Sequence, residues 1–461
     1  MKMTVAEVAS WMDGTLEWGR DDMPIDGISI DTRTLEPGSL FVAIVGPNHD
    51  GHRFVDQALD RGAAGVVVST SIQMRRPAVR IRVSDTTKAL QELAAAVRRQ
   101  AALKVVAITG SMGKTTTKEA TAKALGARYK VLKSEKNLNN LYGVPLSILK
   151  HHDEEVAVLE LGMSAPGEIA RLTEIADPDV GVLTNVAEVH REFFPSIEAI
   201  ACAKGELIDG LGGDSVAVVN ADDPLVLEQA RRFSGRKLLF GFDKSADVRA
   251  DKIVRRPDSL RFVVHYRSEE VPVQVPILGK HNIYNLLAAL AVAAVLDVPL
   301  TSAAAEFSSL SAPPHRGERI RFRGDILVID ETYNSNPAAL ASVLDSFGDE
   351  VATRRIAVLG DMLELGERDV PLHLECGRFA ATANLDLLIA VGPLSRFMVE
   401  GARQAGMSED AMLTAEDALE AGRQVAARLE AGDVVLFKAS RSVGLDRAIE
   451  VLRERIGEES S

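Results

Sequence analysis

Cysteine is nearly absent: the chain holds only Cys202 and Cys376, far apart in sequence. Such a pair forms neither a metal-ligand spacing nor a disulfide framework, which excludes a stapled secreted scaffold and suits a reducing compartment. A basic excess is missing too, since the formal net charge is −13. An acidic chain is ill suited to nucleic acid or an anionic membrane, so any polyanion it handles must be met by local groups. No run reaches the roughly 18 apolar residues that span a bilayer. The longest Ala/Leu/Val stretch, Leu286 to Leu296, reads instead as a buried helix. The first residues, Met1-Lys2-Met3-Thr4-Val5, lack an apolar signal core. There is no internal repeat, and no low-complexity tract beyond the polar end Glu458-Glu459-Ser460-Ser461. These absences together predict a soluble cytoplasmic protein with no nucleic-acid partner and no membrane insertion.

What is present is an ordinary globular balance, with 46% hydrophobic and 26% charged residues over 461 positions. At about 150 residues per domain the length suggests roughly three domains. Short apolar runs at Leu40–Ile44 and Gly65–Val68 read as buried strands, and Ala89 to Arg99 as a helix. From Lys104 the pattern becomes a regular alternation. Buried strands are expected at Val105–Ile108, Val156–Leu159, Val180–Leu183 and Val216–Val219, with helices between them. Such alternation predicts a parallel sheet covered on both faces. Residues 271–278 alternate apolar and polar, which predicts an antiparallel excursion at the sheet edge; an alanine-rich helix follows from about Asn282. Pro313-Pro314 marks a stiff linker. A second alternation then begins, with strands expected at Ile326–Ile329, Ile356–Leu359, Leu387–Ala390 and Val434–Phe437. The reading is α/β throughout, in three domains at 1–97, 98–310 and 311–461.

The most informative segment is Thr109-Gly110-Ser111-Met112-Gly113-Lys114-Thr115-Thr116. A strand, a glycine-rich turn and Gly-Lys-Thr at a helix start form a phosphate-binding device. Backbone N–H groups and the helix N-terminus face the anion. Lys114 would reach the β- and γ-phosphates of ATP, and the Thr115 hydroxyl would ligate Mg²⁺. The loop is shorter than the usual form, because Ile108 stands where that form has its first glycine.

This short loop resembles that of the Mur ligases and folylpolyglutamate synthetases, which join an amine to a carboxylate at the expense of ATP. The likeness extends over nearly the whole chain. Four segments resemble the Mur branch that adds D-alanyl-D-alanine to UDP-N-acetylmuramoyl-tripeptide in peptidoglycan synthesis. They are Lys118-Glu119, Asn137-Leu138-Asn139-Asn140 with Gly143-Val144-Pro145, Glu160-Leu161-Gly162, and Tyr333-Asn334-Ser335-Asn336-Pro337. The Asp-Asn-Pro-Arg motif of the sister ligase that adds diaminopimelate is absent. The resemblance implies an N-terminal mixed α/β domain for the nucleotide sugar, a central P-loop parallel-sheet ATPase domain, and a C-terminal Rossmann-like domain for the dipeptide. It also implies a monomer.

Residue by residue, the resemblance assigns Asp31, Thr32 and Arg33 to the uridine end of the substrate, although alone they read as a capped turn. Glu160, which ends a buried strand and so faces the crevice of a parallel sheet, and His190 would ligate a second Mg²⁺. Lys204 alone reads as a solvated helix lysine; by resemblance it carries a carbamate. Asn282 and Asn285 would meet adenine, although Asn282 alone reads equally well as a helix N-cap. Arg316 would cross to the γ-phosphate, with Arg319 a rival, and Asp330 would contact ATP. Asn137, Asn139, Tyr333, Asn334 and Asn336 would meet substrate. Two departures stand out: Glu331 replaces a family aspartate, and Ala439 a family glycine, in Lys438-Ala439-Ser440-Arg441. The rival from another class is a P-loop ATPase or switch that makes no peptide bond.

Overall fold

The computed structural model describes residues 3–46, 49–188, 192–256 and 258–459. Among them three α/β units follow one another along the chain. The first is built on a five-stranded sheet whose central strands, Ser39–Val42 and Gly65–Val68, are buried along their length. Val79–Arg82 joins them through its apolar alternate residues, while Arg80 and Arg82 reach Glu17 on the neighbouring strand Thr15–Trp18. The helix expected from Ala89 begins earlier, at Thr86, because Asp85 caps it by accepting from the N–H groups of Thr87 and Lys88.

The central unit holds a nine-stranded sheet. Its strand Lys104–Thr109 lies between Val156–Glu160 and Val180–Leu183, parallel to both. The chain then builds outward in opposite directions: Val131–Lys133 lies beyond the first neighbour, and Val216–Asn220 and Arg236–Gly241 beyond the second. The strand order therefore reverses at Lys104–Thr109, and the carboxyl end of that strand opens the crevice where α/β sheets bind ligands. The antiparallel edge is larger than residues 271–278 suggested. Val248–Arg256, Ser259–Tyr266 and Glu269–Val275 form a meander, with the last strand outermost. The alanine-rich helix runs Lys280–Val295 and is almost wholly buried.

Asn282 is not its N-cap. Gly279 occupies that position, and the Asn282 amide donates back to the Leu278 carbonyl at 2.6 Å. The positive φ of 93° that the chain needs there suits glycine. No described helix is long and apolar enough to cross a membrane.

The C-terminal unit is a six-stranded sheet in which Glu318–Phe322 is antiparallel and the other five strands run parallel. On one face the helices Asp369–Ala380 and Arg396–Gln404 press backbone to backbone. A Cβ on Gly377 would lie 2.0 Å from the Met398 carbonyl oxygen, and one on Gly401 2.0 Å from that of Leu374. Alanine would raise helix propensity by up to about 1 kcal/mol, but the helices would have to part. We expect Gly377→Ala and Gly401→Ala each to destabilise the protein by about 1–3 kcal/mol, measured by denaturant unfolding. Unchanged or raised stability would show that the two helices are slack.

Candidate active site

The phosphate loop leaves the sheet at its switch point and is clamped from one side by the segment after Val180–Leu183. Asn185 Oδ1 accepts from the Met112 N–H at 2.8 Å, and its carbonyl accepts from the Ser111 N–H at 2.9 Å. Thr184 Oγ1 donates to the Met112 carbonyl at 2.9 Å, and the Ser111 hydroxyl accepts from the Ala187 N–H at 2.8 Å. Gly110 has φ 151° and packs so closely on Thr184 that a Cβ would lie 1.9 Å from its hydroxyl oxygen. Asn285 closes the other side. Its buried amide oxygen accepts from Thr117 Oγ1 at 3.1 Å, and a Cβ on Gly113 would lie 2.3 Å from it. The Asn285 amide nitrogen donates to Asn282 Oδ1 at 3.1 Å. The two asparagines thus bond to each other, and Asn285 braces the loop. The roles of Thr184, Asn185 and Ala187 escaped sequence reasoning; the one signal available was their place directly after a buried strand.

Within the loop, Lys114 folds back over the carbonyls of Gly110 and Ser111, at 2.7 and 3.2 Å. Thr115 is the second residue of the following helix, Lys114–Gly126, and donates its hydroxyl hydrogen to Glu160 Oε2 at 2.8 Å. The other Glu160 oxygen accepts from the Asn139 amide at 2.9 Å. Glu160 is only 3% exposed, so this carboxylate is buried and held from two sides. Asn139 therefore sits with the loop and Glu160, whereas the exposed Asn137 meets it only through a backbone bond. His190 lies outside the described residues. Among the described residues no three His, Cys, Asp or Glu side chains gather to hold a metal.

Lys204 is the largest departure from what its bare sequence suggests. It lies on the inner face of the helix Ile197–Asp209, 2% exposed, with no ion-pair or hydrogen-bond partner for its amine among the described residues. Burial drives its pKa well below the ordinary lysine value, and the neighbouring charge of Lys114 adds to the effect. The Lys114 pKa is also lowered, first by burial; Glu160 opposes this and Arg316 reinforces it.

Arg316 reaches this site from the last unit and stacks on Tyr333, 3.7 Å from the ring centroid. Arg319 is engaged elsewhere: it pairs with Glu350, which also binds Arg255 of the central unit. Asp330 is buried, with one oxygen 2.8 Å from His315 Nδ1 and the other accepting from the N–H and hydroxyl of Thr332. Asn336 caps the helix Pro337–Gly348 by accepting from the Ala339 N–H, and Asn334 Oδ1 accepts from the Ser335 N–H. Lys438, 3% exposed, donates to the Asn334 carbonyl at 3.0 Å and lies 3.4 Å from Glu331. Far from this cluster, Asp31 and the exposed Arg33 pair with each other at 2.6 Å, and the buried Thr32 donates to Gln57.

Three family models cover most of the chain: the Mur ligase family catalytic domain at residues 24–98, the Mur ligase middle domain at 108–293, and the Mur ligase glutamate ligase domain at 315–441. The UDP-N-acetylmuramoyl-tripeptide–D-alanyl-D-alanine ligase of Bacillus subtilis (strain 168) is 36% identical over 98% of this chain and 99% of its own. A crystal structure of MurF from Acinetobacter baumannii superposes with a TM-score of 0.90 at 30% identity, covering 98% of this chain and 99% of that one. MurF ligase from Thermotoga maritima in complex with ADP gives a TM-score of 0.83 at 31% identity, over 93% of this chain and 97% of that one. The chain belongs to the Mur ligase family, in its UDP-N-acetylmuramoyl-tripeptide–D-alanyl-D-alanine ligase branch.

Proposed function

We propose that this chain uses ATP to join D-alanyl-D-alanine to the terminal carboxylate of a UDP-N-acetylmuramoyl-tripeptide, in the cytoplasm. The observation that carries the reading is the convergence of Lys114, Lys204 and Arg316 on a clamped phosphate loop, beside the buried Thr115–Glu160 pair. The γ-phosphoryl group passes from ATP to the peptide carboxylate, giving ADP and an acyl phosphate. The dipeptide amine then attacks the carbonyl carbon, and phosphate leaves as the amide forms and the amine proton is lost.

The Ser111 and Met112 N–H groups are taken by Asn185, so the N–H groups of Gly113 and Lys114 at the helix start, with the Lys114 ammonium, hold the β- and γ-phosphates. Arg316 meets the transferring phosphoryl group with a planar guanidinium, which suits phosphate better than a point charge does. Thr115 and Glu160 supply the oxygen donors that Mg²⁺ prefers, and Glu160 is already positioned by Asn139. With His190 they would hold Mg²⁺, whose charge would offset that of the phosphoryl oxygens. Lys204 supports a carbamate on physical grounds. An ammonium buried without a partner costs several kcal/mol, and only the neutral amine adds CO₂, releasing a proton as the carbamate forms. The anionic product would answer both Lys114 and a nearby cation.

The three units divide the substrates. Residues 1–97, through Asp31, Thr32 and Arg33, take the uridine end, 98–310 take ATP, and 311–461 take the dipeptide. Tyr333, Asn334 and Asn336 are the side chains we assign to the dipeptide, and Lys438 holds the Asn334 backbone through its carbonyl.

Phosphate release should require the UDP-linked tripeptide and D-alanyl-D-alanine together. Release without the dipeptide would favour a simple ATPase, and turnover of free diaminopimelate or lysine with a UDP-dipeptide would favour the sister ligase. Lys114→Ala should fold and lose at least about 10²-fold in kcat, the scale seen when one oriented charge-stabilising donor is removed. Wild-type ligation by that variant would sink the phosphate-loop reading. Lys204→Ala should lose most activity and recover part of it in formate or acetate, while Lys114→Ala should not. In ¹³C-bicarbonate a carbamyl resonance should appear in the wild type and not in Lys204→Ala. A wild type that lacks the resonance and works in CO₂-depleted buffer would remove the carbamate.

A further inference from the structure

Lys118 lies one helical turn beyond Lys114 and is 1% exposed. Its ammonium donates to the Ser134 carbonyl at 2.6 Å and lies 3.0 Å from Glu119 Oε1. Glu119 is shared with Lys133, at the end of the strand Val131–Lys133. Burying an ammonium is expensive even when it is paired, and a methionine of similar length would fill the same space without that cost. Packing alone therefore does not call for a lysine here; holding a carbonyl does.

Ser134 is itself 1% exposed and is bonded three ways. Its N–H donates to the Val158 carbonyl at 3.1 Å, its hydroxyl oxygen accepts from the Glu160 N–H at 3.2 Å, and its carbonyl takes Lys118. It thus joins the strand that ends in Glu160 to the helix of the phosphate loop. The chain then crosses to Asn139 through a tight loop, in which the Leu138 N–H donates to the Glu135 carbonyl at 3.0 Å. Asn139 pins the far end: its carbonyl accepts from the Gly162 N–H at 2.7 Å, and its amide donates to Glu160 Oε1 at 2.9 Å. Residues 134–139 are therefore stapled to the end of the strand at both of their own ends. The helix meets this staple through two residues three apart, and so on one face. Thr115 donates to the other Glu160 oxygen, and Lys118 to Ser134.

We propose that Lys118 is a positioning residue: by holding Ser134 it keeps the 134–139 loop seated, so that Asn139 and Thr115 together orient the Glu160 carboxylate as an Mg²⁺ ligand. Lys118 acts through Glu160 and not on the phosphates. The inference rests on the assignment of Glu160 to Mg²⁺ made above.

The test uses the full-length enzyme and two readouts. One is the Mg²⁺ concentration that gives half of the maximal rate, with all three substrates saturating. The other is amide hydrogen exchange of the ligand-free protein, read by mass spectrometry. Glu160→Gln alone tests the underlying assignment: a wild-type kcat and Mg²⁺ requirement in that variant would remove it, and this proposal with it. With Glu160→Gln impaired, Lys118→Met should raise the half-saturating Mg²⁺ concentration at least fivefold, while the KM for ATP at saturating Mg²⁺ stays within about twofold. In the ligand-free variant the amides of Glu160 and Gly162 should exchange at least tenfold faster, while those of Val105–Ile108 keep their protection. Asn139→Ala should also raise the Mg²⁺ requirement, and Lys118→Met/Asn139→Ala should need no more Mg²⁺ than Asn139→Ala, since Lys118 acts through the same loop. A purely structural lysine would instead lower the stability of the whole unit and leave the Mg²⁺ requirement alone. That result, multiplicative effects in the double variant, or unchanged exchange at Glu160 and Gly162 would overturn the proposal. Should Lys118→Met fail to fold, Ser134→Ala decides the question, because it removes only the hydroxyl that holds the Glu160 N–H: the Mg²⁺ requirement should rise there too, and a wild-type requirement would overturn the proposal.

Discussion

Positive charge gathers round the carboxyl end of one buried strand. Lys114 and Arg316 act on this point, beside the buried amine of Lys204, and Glu160 is the carboxylate whose charge opposes the effect of burial on Lys114. The chain as a whole is strongly acidic, so the local field comes from placement and not from composition. Keeping a cation such as Lys114 out of water is expensive, and the close-packed sheet and the clamped loop offset that cost. A site with excess positive charge and little water suits the binding of polyphosphate and the stabilisation of charge moving between its oxygens. The same dryness protects an acyl phosphate from hydrolysis.

Much of this was legible in sequence because parallel strands buried on both faces are written as unbroken apolar runs. Val105–Ile108, Val156–Leu159 and Val180–Leu183 could be seen without their neighbours, and so could Glu160 at the end of its strand. The antiparallel strands Val248–Arg256 and Ser259–Tyr266 were not recognised, because partly exposed and charged side chains interrupt their apolar pattern. Lys204 was visible in principle. Ile200, Leu207 and Ile208 share its helix face, so the lysine interrupts an apolar stripe. Judged by residue type it read as solvated; judged by position it belongs to the interior.

The asparagines show where sequence stops. Asn139, Asn282 and Asn285 all stand in matching segments, but a short amide can cap, brace or bind, and only the fold decides. Here Asn139 holds Glu160, and Asn285 supports Gly113 and Thr117. Asn185, whose side-chain amide accepts from the Met112 N–H and donates to the Met112 carbonyl, carries no motif at all. Residues that orient a loop need the right distance rather than a recurring pattern, so spacing along the chain does not reveal them.

The two arginines of the last unit show how one strand divides its work. Arg319 lies on the strand Glu318–Phe322 and pairs with the buried Glu350, which Arg255 of the central meander shares. Across the molecule Arg368 pairs with Glu188, just past the segment that clamps the phosphate loop. These ionic ties join the last unit to the central one at two separated places, so they fix its orientation as well as its distance. Arg316 lies outside them, in the linker turn, stacked on an aromatic ring and free of any carboxylate partner among the described residues. A guanidinium paired with Glu350 could not also neutralise a phosphoryl group without leaving a buried carboxylate behind. The pairing of Arg319 with Glu350 and the absence of a carboxylate beside Arg316 are what support the proposed assignment of Arg316 to the phosphoryl group.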